Sequence, residues 1–172
     1  MDNPASIGLD NSKTFENFSV SVATAPKAAF AFEVSKLFIG KYSASENPLL
    51  LVGIGTEKRH LLHAIGNRAV KQGITPVRDM KADYFWRECA EAKDARGSLS
   101  LRNYSGLALF LMEDVHLVAG HPRAEERLFC IFNELFDRRI RMAFTSEYLP
   151  DEISSIYERL ASRLEWGRIV EI

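Results

Sequence analysis

Cysteine is scarce in this chain of 172 residues: Cys89 and Cys130 are its two thiols. Neither has a partner at ligand-like spacing, which excludes a disulfide framework and a thiolate zinc site and predicts two buried free thiols in a reducing compartment. Net charge is also nearly absent, at -1, so bulk electrostatic attraction to nucleic acid is excluded, although a local basic patch is not. No apolar run approaches the ~18 residues that would span a bilayer. The opening "MDNPASIGLDNSKTFENF" lacks the basic segment and apolar stretch of a secretory signal. These absences together predict a cytoplasmic protein with no membrane partner. Repeats, low-complexity tracts and internal linkers are missing too, so one domain is expected.

Apolar residues make up 47% of the chain, enough for a substantial core. Their spacing alternates between two periods. Residues 1–13 are polar and read as a flexible lead-in, with the folded unit over 14–172. "PKAAFAFEVSKLFIGKY" predicts a helix from Pro26 whose inner face carries Phe30, Val34, Leu37 and Phe38. "LLLVGIG" is a short, fully buried strand, followed by a helix from His60 to about Gln72. "ITPVRDM" predicts a strand and "ADYFWRECAEAKD" a helix. "ARGSLSLRNYS" reads as a loop and "GLALFLMED" as the strongest strand. A helix from about Arg123 to Arg138 carries the stripe Leu128, Phe129, Ile131, Phe132, Leu135 and Phe136. "IRMAFTS", "DEISSIYERLASRL" and "WGRIVEI" complete the order as strand, helix and strand. Strands alternating with helices predict an α/β fold with a parallel sheet covered on both faces.

Glycine is missing where a phosphate loop needs it most. A P-loop reads G-x-x-x-x-G-K-[ST], its backbone N–H groups wrapping the phosphates at a helix N-terminus. Here Gly53, Gly55 and Lys58 remain, while Val52 replaces the first glycine, Glu57 the second, and Arg59 the hydroxyl residue that binds magnesium. Glu57 sets a negative charge beside any polyanion; two like charges ~5 Å apart repel by about 3 kcal/mol at an effective dielectric of 20. Arg59 removes the magnesium ligand but supplies a cation of its own. Two readings therefore stand: residual nucleotide binding, or a strand-turn-helix kept for the fold with Glu57, Lys58 and Arg59 pairing internally. "LALFLMED" has the form of a Walker B strand, with Glu113 in the metal-organising position and Asp114 in the water-positioning one. Glu113 is one methylene longer than the usual aspartate, which disturbs a magnesium geometry that tolerates little error.

"TFENF", "NPLLLVGIG", "HLLHAIGN", "LFLMEDVHLVAG", "FNELF", "FTSE" and "ERLASRLEWG" follow one another in an order that resembles the ATPase domain of the bacterial replication initiator DnaA and its small Hda-type relatives. The resemblance runs from about Thr14 to Ile172. It implies an AAA+ fold, a three-layer P-loop NTPase base domain with a five-stranded parallel sheet between helices. It matches Lys58 to the phosphate lysine, and Glu113 and Asp114 to the Walker B acids. Glu147 matches the polar sensor of the terminal phosphate, and Arg163 the arginine finger that reaches a neighbouring subunit's nucleotide. Arg159, one turn earlier, shares the helix face of Arg163. The single-strand DNA pore of the family corresponds to Trp86, as a base-stacking face, and to His121 and Arg123, with Arg123 as a phosphate contact. His60, His63 and His116 lack a third ligand and read as structural.

Departures from the family pattern shape the expected function. The resemblance stops at "WGRIVEI", so the helical lid and the duplex-reading helix-turn-helix domain are expected to be absent, and so is the amino-terminal helicase-loading domain. Little hydrolysis and no sequence-specific duplex binding are expected. No resident metal is predicted; ADP or ATP held by Gly53, Gly55, Lys58 and Arg59 is the one cofactor the residues leave open. The leading expectation is an impaired AAA+ domain that acts as an interaction or regulatory module in replication initiation, meeting DnaA or another AAA+ protein through the Arg159/Arg163 face. A nucleotide-binding switch and a weak single-stranded DNA binder are the alternatives.

Overall fold

The computed structural model describes residues 6–19, 25–40, 42–91, 104 and 106–172. Within these residues six parallel strands form one sheet: β1 (Ser6–Ile7), β2 (Leu49–Val52), β3 (Val77–Lys81), β4 (Leu109–Glu113), β5 (Arg141–Ser146) and β6 (Arg168–Glu171). Their spatial order is β1-β3-β4-β5-β2-β6. Among the described residues, five helices cover it: α1 (Pro26–Phe38), α2 (Glu57–Lys71), α3 (Ala82–Glu91), α4 (Pro122–Asp137) and α5 (Glu158–Leu164). The expected α/β architecture holds, with six strands instead of five. The extra strand is the two-residue β1, which pairs with β3 at Ser6–Val77 and Ile7–Arg78, within the segment expected to be a lead-in.

Period-two alternation divides the strand residues between two cores. Leu50, Val52, Phe110, Met112 and Phe144 face α3, α4 and α5, packing with Phe85, Leu128, Ile131, Phe132 and Leu160. Leu49, Leu51, Leu109, Leu111 and Ala143 face α1 and α2, packing with Val34, Leu61, Leu62 and Ile65. Both faces being covered explains why "LLLV" and "LFLM" read as unbroken apolar runs.

Several expectations need correction. Helix α1 buries Ala28, Ala31, Val34, Ser35 and Phe38, while Phe30 and Leu37 are 55% and 73% exposed. The alanines let the helix lie close to the sheet and turn the larger side chains outward. Helix α2 begins at Glu57, three residues before the expected start. "DEISSIYERLASRL" is not one helix: a 3-10 turn at Pro150–Glu152 precedes α5, and Ser155 takes a left-handed conformation (φ 64°) that no continuous helix accepts. Cys130 is only half-buried, unlike Cys89. The predicted loop "ARGSLSLRNYS" lies outside the described residues except for Tyr104, which is fully buried in the core beside Phe110.

The segment before α1 is tied to α2 by the residues of "HLLHAIGN". His60 Nε2 donates to the Thr14 carbonyl (2.8 Å), and the Asp10 N–H donates to His63 Nδ1 (3.3 Å). Asn67 Nδ2 donates to the carbonyls of Asp10 (2.9 Å) and Lys13 (2.7 Å). Positions 60, 63, 66 and 67 fall on one helix face, and Gly66 admits Leu9: a Cβ there would stand 2.5 Å from Leu9 Cδ2 and 2.9 Å from Leu111 Cδ1. A helical glycine costs about 1 kcal/mol relative to alanine, so its presence needs this steric reason. Gly66→Ala gains that propensity but overpacks the contact by about 1–3 kcal/mol. A net loss of stability is expected, read as a lower urea midpoint; an unchanged or higher midpoint would show that Leu9 yields freely.

Candidate functional site

The turn between β2 and α2 carries two glycines and the first charged residues of the helix. Gly53 (φ 146°) and Gly55 (φ 119°) hold conformations that favour glycine, and the Gly53 N–H donates to the Ser146 carbonyl at 3.0 Å. Glu57 opens α2, where the helix N-terminus favours negative charge. Its carboxylate lies directly against Gly55, where any Cβ would collide with it. A carboxylate therefore sits beside the loop at the helix end that would draw a phosphate. Lys58 is buried and donates from Nζ to the Gly55 carbonyl at 3.1 Å, an acceptor within its own loop.

Arg59 and Glu113 meet across the interval between α2 and β4. Arg59 Nε is 2.9 Å from Glu113 Oε2, with the guanidinium side chain 45% exposed and the carboxylate 5%. The other oxygen, Oε1, faces His63 Nε2 at 3.2 Å, close enough for attraction though too far off line for a full hydrogen bond. Burial works against the charge on Glu113, but His63 and Arg59 outweigh it and hold the carboxyl below its ordinary range. Asp79, on the neighbouring strand β3, completes a buried cluster whose facing atoms lie within 4.8 Å of one another. Burial, and then the Glu113 charge, push the Asp79 carboxyl up to about 8, so it carries a proton at neutral pH.

This donor set does not fit a magnesium ion. One oxygen of Glu113 is engaged by a guanidinium, and the position after the lysine supplies a cation in place of a hydroxyl. Nor does the trio of His63, Asp79 and Glu113 make a metal centre. The Asp10 N–H donates to His63 Nδ1, which places the ring proton on Nε2, the atom that would have to bind metal. His63 and Asp79 went unrecognised as site residues in sequence. One sat among helix residues as a structural histidine, and the other was a single acid inside a strand. Asp79 stands between Arg78 and Met80 in a five-residue strand, which gives a sequence reader no distinctive signal.

The remaining predicted residues are distributed over three places. Asp114 adopts a left-handed conformation (φ 54°) at the end of β4 and donates its N–H to Thr145 Oγ1 at 2.8 Å. Glu147 is exposed, and its N–H reaches His116 Nδ1 at 3.3 Å; burial lowers the His116 pKa, leaving that nitrogen free to accept. Trp86, His121 and Arg123 line one groove of about 440 Å³. Trp86 lies parallel to His121 with centroids 4.1 Å apart, and the Arg87 guanidinium lies 5.4 Å from its ring centroid. Arg159 and Arg163 are on α5, against α4. Arg159 forms an ion pair with Glu126, and Arg163 Nε donates to Asn133 Oδ1 at 2.9 Å.

The protonated Asp79 gives the cluster a pH signature. The folded carboxyl titrates near 8 and the unfolded one near 3.8, so between those values the folded state holds an extra proton. The stability this contributes is full at the acid end and is lost as pH rises toward 8. Asp79→Asn removes the dependence, so its stability relative to wild type should improve from pH 5 to pH 8.5 in urea denaturation. Parallel curves would mean that Asp79 is ionised throughout.

The family model for the bacterial DnaA ATPase domain matches residues 9–171. The chromosomal replication initiator protein DnaA of Methylacidiphilum infernorum is 33% identical over 169 residues, covering 96% of this chain and 36% of the relative. That of Bordetella pertussis is 34% identical over 167 residues, covering 95% and 35%. The chain thus spans about a third of the length of the curated relatives it matches. Among solved structures, a DNA replication initiation factor superposes with a TM-score of 0.86 at 32% identity, over 96% of this chain and 51% of that one. A replication initiator DnaA bound to AMPPCP and single-stranded DNA gives 0.84 at 31%, with the same coverage. The DnaC helicase loader, at 15% identity and a TM-score of 0.72, shares the fold. With its sheet order and its acid-ended β4 strand, the chain belongs to the bacterial DnaA ATPase domain family, within the AAA+ class.

Proposed function

We propose that this domain is a catalytically quiet member of its family, acting in replication initiation through contact with DnaA or another AAA+ protein and not through its own hydrolysis. The observation that carries this reading is the Arg59–Glu113 ion pair. An internal cation holds the acid that would organise magnesium, Lys58 is turned onto its own loop, and Glu57 brings negative charge to the phosphate position. A triphosphate would have to displace all three. The arginine face needs no nucleotide of its own: Arg163 on α5 would be offered to a partner's nucleotide, with Arg159 beside it.

Two alternatives have narrower support. The retained glycine conformations at Gly53 and Gly55 favour a switch that keeps ADP or ATP without hydrolysing it. The groove at Trp86 and Arg123, together with a relative solved with single-stranded DNA, favours a weak strand binder, although His121 already covers one face of Trp86.

Thermal denaturation separates the first two. A ligand at 100 times its Kd stabilises by about 2.7 kcal/mol, about 5–10 °C for a domain of this size. Wild-type protein should show no shift with millimolar ATP and magnesium, whereas the double variant Glu57→Gly, Arg59→Thr should show one. A magnesium-dependent shift in the wild type would establish a working nucleotide site. In a reconstituted assay, Arg163→Ala should abolish any effect of this domain on the ATPase of DnaA while leaving its own melting temperature within a few degrees; an undiminished effect would remove Arg163 from the reading.

A further inference from the structure

The two arginines of α5 are bound very differently. Arg159 has a carboxylate partner, Glu126, which cancels its charge. Arg163 has none among the described residues; its one hydrogen-bond partner is the neutral side-chain oxygen of Asn133, at 2.9 Å from Nε. Its guanidinium carbon lies 3.9 Å from the centre of the Trp166 ring and 5.2 Å from that of Phe129. Trp166 is itself fixed edge-on by Phe136 (4.9 Å) and Phe132 (6.2 Å), with Phe132 fully buried in the core, yet the indole remains 44% exposed.

These contacts use some parts of the guanidinium and leave others. The face is spent on aromatic rings, and Nε on an amide oxygen. The Nη donors keep their hydrogens, and the positive charge stays uncompensated. A planar cation held in this way meets an oxyanion edge-on through two parallel N–H bonds. An aromatic support also lets it remain charged without a competing carboxylate. The geometry points to Trp166 and Asn133 as positioning residues that hold Arg163 ready for a phosphoryl or carboxylate oxyanion on a partner subunit. This rests on the interaction reading above and assigns that role to Arg163 alone; Arg159 serves as an anchor between α5 and α4.

A double-mutant cycle tests the assignment, using full-length chains and ATP-loaded DnaA with phosphate release as the readout. Trp166→Ala should weaken the effect of this domain about five- to tenfold, Trp166→Phe should restore most of it, and Arg163→Lys should not substitute for the arginine fork. In an Arg163→Ala background, Trp166→Ala should cost nothing further. Thermal melts of each variant identify a folding defect, which the phenylalanine variant bypasses. If Arg163→Ala abolishes the effect while Trp166→Ala leaves it intact, the positioning role is wrong and the interaction reading survives. Equal losses from Trp166→Ala in both backgrounds would also overturn it, because Trp166 would then act independently of Arg163. If Arg163→Ala itself changes nothing, both readings fall together.

Discussion

The ion pair between Arg59 and Glu113 closes the space between the start of α2 and the end of β4. A carboxylate that is 5% exposed cannot stay ionised without a counter-charge, because desolvation would force a proton onto it. In a site built for magnesium the metal would supply that charge, whereas here the chain supplies it. Once the guanidinium is committed, the rest follows electrostatically. Glu113 keeps its negative charge, burial and then that charge keep a proton on Asp79, and His63 faces the cluster through Nε2.

The same cluster extends to the beginning of the domain. His63 receives the Asp10 N–H, while Asn67 and His60 hold the carbonyls of residues 10, 13 and 14. The stretch "HLLHAIGN" therefore has a mechanical explanation that does not depend on nucleotide. Its polar residues satisfy a backbone that would otherwise lie unpaired across a helix, and its glycine lets Leu9 approach.

At the far side of the sheet, α4 and α5 carry an arginine–aromatic surface whose construction is independent of the phosphate loop. Phe132 and Phe136 root Trp166 in the core, and Trp166 supports Arg163. A domain can lose its own pocket chemistry without disturbing this face, because the two are set by different layers. That separation is what makes an interaction role compatible with a site whose charges are satisfied internally.

Local pattern determined the fold class. Apolar runs ending in "GIG" and "MED", helices between them and a turn signal at each junction pointed to a doubly covered parallel sheet. What sequence could not assign was partnership. Arg59 lies 54 positions from Glu113, and whether it would pair with Glu57 beside it or with that distant acid depended on where β4 ended relative to α2. Asp79 and His63 carried no recognisable spacing, since their meeting depends on the register of β3 against β4 and on a face of α2. The two-residue β1 is too short for any periodicity to announce, and the exposure of Phe30 and Leu37 reflects small alanines preferred against the sheet. Composition and period act through neighbours along the chain; a buried charge is balanced by whichever group the fold brings within a few ångströms, and only the tertiary structure decides which that is.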